Sequence, residues 1–267
     1  MAIVRDEALI LRVMRYRETS KILVALTPVF GKVHLLAKGA REYKRGFGGA
    51  LEILTRSRLV FYHKRQSELH LLHSASVERP YLRLLSEATA YHLACAALEF
   101  VLRVVPDEDP SVEIFETLGA FLERADAGAS TAEMFWALRV FQFRTVALLG
   151  YAPQLACCAV CGEADVSDAR FGVAEGGILC PRCRAQGETR PLAPAALALL
   201  QRLVAHAGAG SATAQADAPA RAGVDRQAAE VVECFLRYHV TGYQGLRSLK
   251  SLAAWRRVRR ASAGTQS

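Results

Sequence analysis

Four cysteines occur as two pairs whose spacing is typical of a metal site. Cys158 and Cys161 form one C-x-x-C pair, and Cys180 and Cys183 form a second pair after eighteen intervening residues. Each pair can present two thiolates to one ion, and the spacing matches the template of tetrahedral four-cysteine zinc sites. Because four thiolates leave no open position for water, we expect one structural zinc ion and no metal catalysis. Cys157 has a poorer spacing to Cys161 and is interpreted as a spare thiol.

The segment between the two pairs must fold back on itself to bring them together. Residues 171–179 are mostly apolar around Gly176 and Gly177, which predicts a hairpin. Five of the seven cysteines lie between residues 157 and 183, and the first residues lack the order of a secretory signal. We therefore expect a zinc ribbon in a reducing compartment, the cytoplasm, rather than a disulfide framework. No apolar run is long enough to predict a membrane segment.

Motifs of catalysis are absent from the sequence. It contains no G-x-x-x-x-G-K-[ST], no G-x-G-x-x-G after a strand, no H-E-x-x-H and no G-x-S-x-G. No catalytic residue is assigned, and we expect a binding protein rather than an enzyme. The alternative is a zinc-ribbon enzyme that holds a small anionic substrate, which would require an open position on the metal.

Positive charge is concentrated at the two ends of the chain. The formal net charge is +8, and residues 1–80 hold fifteen Lys and Arg against seven Asp and Glu. Residues 81–150 are net acidic, whereas residues 241–267 carry six basic residues and no acidic one. Basic surfaces bind polyanions because each neutralised phosphate releases condensed counterions. The pattern favours nucleic acid as a partner, although a solvated surface would have the same composition.

Short alternating strands dominate the first seventy residues and predict a small closed barrel of five strands. On the fourth strand, Thr55, Ser57, Leu59 and Phe61 should share the inner face. The glycine-rich loop at 38–49 and the turn at 63–67 supply candidate DNA contacts, which are Lys38, Arg41, Lys44, Arg45, Lys64 and Arg65. The alternative for the loop is a flexible connection whose Phe47 packs under the barrel, and we expect Phe47 to be core.

The period changes to helical spacing after residue 80, with predicted helices at 111–121, 131–149, 194–206 and 225–238. We expect a helix to start at Asp109-Pro110-Ser111, Asp225 to cap another helix, and residues 207–223 to form a mobile loop. The predicted domains are 1–80 for the barrel, 81–252 for an α-helical domain with a zinc ribbon inserted at 155–190, and 253–267 for a flexible basic tail. The fold class is thus α+β and multidomain.

Several motifs together resemble the bacterial DNA repair protein RecO family over nearly the whole chain to about residue 252. They are Phe30-Gly31-Lys32, Ala37-Lys38-Gly39-Ala40-Arg41, Phe47-Gly48-Gly49-Ala50-Leu51-Glu52, Leu148-Leu149-Gly150-Tyr151-Ala152-Pro153 before the first cysteine pair, and Gly176-Gly177-Ile178-Leu179-Cys180. The resemblance implies an oligonucleotide-binding (OB-type) barrel, with DNA contacts at Lys38 and Arg41.

The resemblance also implies a function. The family binds single- and double-stranded DNA, anneals complementary strands, and acts with RecR to load RecA onto single strands coated by single-strand-binding protein. Its helical domain receives the acidic C-terminal tail of that protein. We therefore expect a recombination mediator in the bacterial cytoplasm, associated with the nucleoid, that works without catalysis and without a membrane.

Overall fold

The N-terminal part of the chain is a closed five-stranded β-barrel, as the alternating patterns predict. The computed structural model describes residues 2–42, 47–64, 67–164, 168–184, 187–208 and 222–264. Around the barrel the order is β1-β2-β3-β5-β4, with all neighbours antiparallel except β3 and β5. The strands are β1 (Ala2–Tyr16), β2 (Ser20–Thr27), β3 (Gly31–Ala37), β4 (Thr55–His63) and β5 (Leu69–Pro80).

Strand alternation decides which side chains fill the barrel. On β4, four alternate residues are buried as predicted, and they are Thr55, Ser57, Leu59 and Phe61. On β1 the alternation fails because a bulge between Ile10 and Arg12 shifts the register, so that Leu9, Ile10 and Leu11 are all buried. The bulge lies where β1 ends its pairing with β4 and pairs on with β2.

A short 3₁₀ turn, Gly48–Leu51, packs against β4 and β5 of the barrel. Phe47 and Leu51 are buried in the barrel core, which confirms the prediction that Phe47 packs rather than stacks on bases. The Ser57 hydroxyl donates to the Ala50 carbonyl at 2.8 Å and so ties the turn to β4. Apolar burial and one internal hydrogen bond thereby fix the end of the loop whose start carries Lys38.

The described part of the chain contains seven helices after the barrel. They are α1 (Leu82–Ser86), α2 (Ala88–Val104), α3 (Val112–Asp126), α4 (Thr131–Leu148), α5 (Pro194–Gly208), α6 (Ala222–His239) and α7 (Arg247–Gly264). The Ser111 side chain accepts from the Ile114 N–H at 3.2 Å and caps α3, which begins at the predicted helix start. The predicted cap at Asp225 is wrong, since α6 begins three residues earlier at Ala222. Most of the predicted mobile loop, residues 209–221, lies outside the described residues.

The C-terminal segment differs from the flexible tail that composition suggests. Helix α7 continues to Gly264, so that most of the predicted tail at 253–267 is helical. Alanine and arginine are strong helix formers, and the segment contains both without proline, which accounts for the difference. The run of basic residues indicates disorder from sequence alone, but it lies on a helix that begins at Arg247, six residues before the predicted tail.

Contacts divide the chain into two compact units. The first comprises Met1–Thr131 with Leu246–Ser267, and the second comprises Ala132–Gly245. The barrel, α1 to α3 and α7 therefore group together, a division different from the predicted domain boundaries, which remain predictions.

The second unit contains a small sheet of order β7-β6-β8. Its strands are β6 (Arg170–Gly172), β7 (Gly177–Leu179) and β8 (Thr189–Pro191). The β6–β7 hairpin turns where the two glycines predict. Strand β8 was not predicted because three residues are too few to show alternation. Phe235 of α6 packs against Phe171 of β6, and the His239 ring nitrogen lies 2.7 Å from the Val173 carbonyl oxygen. These contacts attach the sheet to α6 within the second unit.

Candidate metal centre and nucleic-acid interface

The four cysteines predicted as ligands converge at one point beside the small sheet. Their sulfur atoms all lie within 4.8 Å of one another, and Cys158 and Cys180 are buried. The Sγ atoms of Cys161 and Cys180 are 3.7 Å apart. Zinc–sulfur bonds of about 2.3 Å in a tetrahedron place sulfurs about 3.8 Å apart, so the group has the dimensions of a zinc site. The thiols form no disulfide among the described residues.

Backbone N–H groups at the two turns favour ionised sulfur. The Cys180 N–H donates to the Cys158 Sγ at 3.4 Å. Burial opposes ionisation of Cys158, but the N–H groups of Cys161 and Cys180 outweigh it and lower its pKa to about 6. Cys183 shows the opposite shift because it donates to the Cys161 sulfur and is desolvated, which raises its pKa to about 12. Without a bound metal, the four sulfurs thus share thiol protons through hydrogen bonds. A metal cation bound by all four sulfurs would displace those protons.

A salt bridge joins the two cysteine turns. Arg182, between the second pair of cysteines, contacts Glu163 beyond the first pair at 3.0 Å. Hydrogen bonding to the Cys180 sulfur raises the pKa of Arg182, so its cation offsets part of the thiolate charge. Cys157 is half-buried and is not part of the group that could hold an ion. The described ligand set therefore contains the four predicted cysteines and excludes the spare thiol.

A second group of potential ligands lies in the first unit, but its hydrogen bonds are already satisfied. Ligand atoms of His63, His70 and Glu108 are within 4.8 Å of one another. The Lys64 N–H donates to His70 Nδ1 at 3.3 Å, so His70 Nε2 carries the proton and donates to Glu108 Oε1 at 2.9 Å. A metal at Nε2 would require the other tautomer, with two donors facing each other. We interpret this group as a hydrogen-bonded network.

The predicted DNA contacts that the structure describes lie at opposite ends of the barrel. Lys38 and Arg41 are exposed beside the β1–β2 turn, where Arg41 donates to the Glu18 carbonyl at 2.6 Å. Lys64 is exposed beyond β4, near the ring contact between Phe30 and His63. The seven residues of β3 separate the two ends by roughly 20 Å. Lys44, Arg45 and Arg65 lie outside the described residues.

The end that carries Lys38, defined by residues 15–21 and 38–42, is called the open end. A concavity of about 620 Å³ is lined there by residues 16–20 together with Leu36, Lys38, Gly39 and Glu42. Arg15 and Arg17 are exposed beside it, and the Arg17 guanidinium lies 5.3 Å from the centre of the Tyr16 ring. Within the described residues, Arg15, Arg17 and Lys38 form no ion pair. Arg15 and Arg17 are not among the contacts predicted from the sequence, although two arginines on either side of Tyr16, at the end of β1, are a usable signal.

Several other basic residues of the barrel are neutralised by carboxylates. Arg56 contacts Glu7, Arg58 contacts Glu78, and Lys21 contacts Glu52 at 2.9 Å. Arg79 of β5 contacts Glu123 of α3 at 3.1 Å. Among the described residues, the exposed cations without an ion pair are therefore Arg15, Arg17, Lys38 and Arg41 at the open end, and Arg5, Arg12 and Lys64 elsewhere on the barrel.

Comparisons with known proteins agree with this architecture. The N-terminal model of the family called recombination protein O matches residues 1–81, and the C-terminal model matches residues 85–250. The chain is 36% identical over 241 residues to the DNA repair protein RecO of Anaeromyxobacter sp. (strain K), which covers 89% of this chain and 91% of that protein. The RecO of Nocardioides sp. is 33% identical over 253 residues, covering 93% and 97%.

The chain belongs to the RecO family. The resemblance predicted from its motifs is thereby confirmed, and membership assigns the chain to DNA repair by recombination. The family name and the names of these relatives describe recombination and repair and state no catalysed reaction. The residues matched by the two family models include both the barrel and the cysteine cluster. Among the described residues, no helix combines the length and apolar character needed to cross a bilayer.

Proposed function

We propose that this RecO family member is a recombination mediator that binds DNA through the open end of its barrel, within the predicted DNA-binding module 1–80. It binds single- and double-stranded DNA, anneals complementary strands, and acts by binding rather than by catalysis. With RecR it helps to load RecA onto single strands coated by single-strand-binding protein, whose acidic tail it also binds. It works in the bacterial cytoplasm with the nucleoid.

The observation that carries the DNA-binding proposal is the set of unpaired cations at the open end. Arg15, Arg17 and Lys38 are exposed and have no carboxylate partner within the described ranges, whereas Lys21 at the same end is paired with Glu52. An unpaired surface cation gains energy from a phosphate because binding releases counterions, while a paired cation must first give up its carboxylate. The Tyr16 ring beside Arg17 adds a surface on which a base can stack.

A triple variant tests this site against a matched control. Arg15→Ala, Arg17→Ala and Lys38→Ala together should weaken binding of a 30-nucleotide single strand at least tenfold, with each contact contributing about 1 kcal/mol. The control, Lys21→Ala, Arg58→Ala and Arg79→Ala, removes the same charge from ion-paired positions and should weaken binding much less. Fluorescence anisotropy over a salt series gives both affinity and slope, and the slope should fall by about 0.7 for each phosphate that is no longer neutralised.

Equal losses of affinity in the two triple variants would reject the open end, because net charge alone would then explain binding. Thermal melting of both variants shows whether they remain folded. The proposed annealing activity is measured without nucleotide, on complementary strands coated with single-strand-binding protein. The chain should accelerate duplex formation and the open-end variant should not. If the natural chain does not raise the rate of duplex formation above the rate without protein, the mediator function is contradicted.

We propose zinc as the ion of the cysteine cluster, in a structural role. Cys158, Cys161, Cys180 and Cys183 would hold it, and its charge would draw the two turns together. Cobalt substitution should give the absorption spectrum of a tetrahedral all-thiolate site. A spectrum with an oxygen or nitrogen ligand would instead support the alternative, a zinc-ribbon enzyme with a small anionic substrate, which the four converging sulfurs do not favour.

A further inference from the structure

The C-terminal helix α7 carries a concentration of positive charge that the barrel site does not use. Residues 241–267 contain six Lys and Arg and no Asp or Glu. Helix α7 therefore has no acidic residue of its own to neutralise its cations. Among the described residues, the ion pairs of the first unit include no pair from Arg247, Lys250 or Arg257.

Hydrogen bonds fix the start of α7 against α2. Glu99 of α2 accepts from the backbone N–H of Arg247 at 3.0 Å and from the N–H and hydroxyl of Ser248 at 2.9 and 3.0 Å. Burial opposes ionisation of Glu99, but these hydrogen bonds lower its pKa, so its negative charge caps the positive end of the helix. Four helix N–H groups would otherwise need partners there.

Apolar contacts fix one face of the helix. Leu252 is buried, and the Trp255 ring lies 6.4 Å from the ring of His92 on α2. Ser248, Leu252 and Trp255 recur at intervals of four and three residues, which is the spacing of one helix face. The helix is thereby held in one orientation, and the opposite face is presented to solvent.

Three cations lie along the solvent face. Arg247, Lys250 and Arg257 are all exposed. At 3.6 residues per turn they fall within about 80° around the helix, and they extend over about 15 Å of its length. Exposed Ala254 lies between them on the same face. We call Arg247, Lys250 and Arg257 the α7 stripe. Cations that share one helix face, with a small residue between them, can lie against a phosphate backbone, which presents negative charges along a line.

We propose that the α7 stripe is a second binding surface for DNA, which takes the phosphate backbone without reading its sequence. The inference rests on the proposed function, in which the open end holds a first strand. Annealing requires two strands to be close together, and a second cationic surface on the same unit holds the second strand while reducing the repulsion between the two backbones.

The test uses the full chain with Arg247→Gln, Lys250→Gln and Arg257→Gln, because glutamine retains helix propensity and the backbone contacts of Glu99 are untouched. A control with the same charge change is Arg184→Gln, Arg190→Gln and Arg237→Gln. All three control arginines are ion-paired, to Asp168, Glu188 and Glu233. A first oligonucleotide is attached to beads and saturated with protein, and capture of a second, labelled, non-complementary strand is measured.

The α7 variant should bind the first strand within about twofold of the natural chain and capture at least fivefold less second strand. The control should change neither step. Unchanged capture by the α7 variant, or an equal decrease in the control, would overturn the proposal.

A crosslinking measurement separates this inference from the proposed function. Benzoylphenylalanine at position 254 should crosslink to labelled DNA on illumination, whereas the same group at position 112, an exposed site on α3, should not. Crosslinking at 254 in the open-end variant would support the α7 stripe even if the barrel site failed. Absence of crosslinking at 254 in the natural chain, under conditions where DNA is bound, would overturn the α7 stripe and leave the barrel proposal standing.

Discussion

The two ends of the barrel both carry basic residues, but the ends hold them differently. The open end leaves several cations without a carboxylate partner among the described residues, whereas the opposite end holds Lys32 in an ion pair and leaves Lys64 exposed. At the open end, Arg17 and Lys38 are exposed without carboxylate partners among the described residues. At the opposite end, Lys32 contacts Asp107 at 3.2 Å and the Leu102 carbonyl at 3.0 Å. That end faces the α2–α3 connection, so we call it the covered end. The charge of Lys32 serves folding, which shows that charge in a sequence and charge available to a ligand are different quantities.

The covered end is packed closely as well as neutralised. Gly31 has a φ of +67°, and a Cβ atom there would clash with the backbone of Asp109. The Glu108 N–H donates to the Lys32 carbonyl at 2.9 Å, and Glu108 accepts from His70. The acidic residues 107–109 thus act as a group that binds the β2–β3 turn. No comparable acidic segment contacts the described part of the open end.

The largest effect is expected for Gly31→Ala. An alanine would be strained at a positive φ and would push the α2–α3 connection away, at a cost of about 3 kcal/mol in the free energy of unfolding. Gly49→Ala is the control near the open end, because a Cβ there has nothing within 4 Å and its φ is not positive. Denaturant unfolding should show little change for the control. Similar destabilisation of both variants would mean that the two ends are equally packed.

Asp107→Asn should have the next largest effect. It leaves the Lys32 ammonium, whose side chain is 9% exposed, without its carboxylate, and we expect a decrease of about 1 to 2 kcal/mol in the free energy of unfolding. The control is Glu52→Gln, which removes the partner of Lys21 at the open end. Asp107 and Glu52 are similarly exposed, at 56% and 60%, but Lys21 is 21% exposed and can be hydrated instead. A decrease in the control as large as that of Asp107→Asn would contradict the distinction between buried and hydrated pairs.

Sequence patterns predicted the barrel, the position of Phe47 and the cysteine cluster because each depends on neighbours that are close in the chain. The inner face of β4 follows from strict alternation, and the metal ligands follow from two short spacings. The sequence could not predict which cations are free to bind an external anion, because the carboxylates that neutralise the others are distant from them in the chain. Arg56 is neutralised by Glu7, forty-nine residues earlier. The extent of α7 was missed because composition alone does not distinguish a basic helix from a basic tail.

The covered end should also respond to pH through His70. Burial lowers the pKa of His70 below its usual range, although the Glu108 carboxylate acts in the opposite direction. The unfolded chain therefore binds this proton more readily, so stability should fall as the pH decreases through about 6.5, the ordinary histidine value. His70→Gln should reduce the difference in unfolding free energy between pH 7.5 and pH 5.5, by less than the effect of Asp107→Asn. His73→Gln, an exposed position on the same strand, should not, and an equal change in both would refute the assignment.

The smallest effect is expected at Glu42, a carboxylate of the open end that lines the concavity with Lys38. Because its charge repels phosphate, Glu42→Gln should tighten DNA binding about twofold at low salt, and the gain should disappear as salt screens the repulsion. The control is Glu68→Gln, which removes an exposed carboxylate from the β4–β5 turn beside Lys64. Anisotropy measurements at two salt concentrations compare the two ends directly. Tighter binding by Glu68→Gln, with no change for Glu42→Gln, would place the DNA at the other end, over Lys64, and reverse the assignment of the two ends.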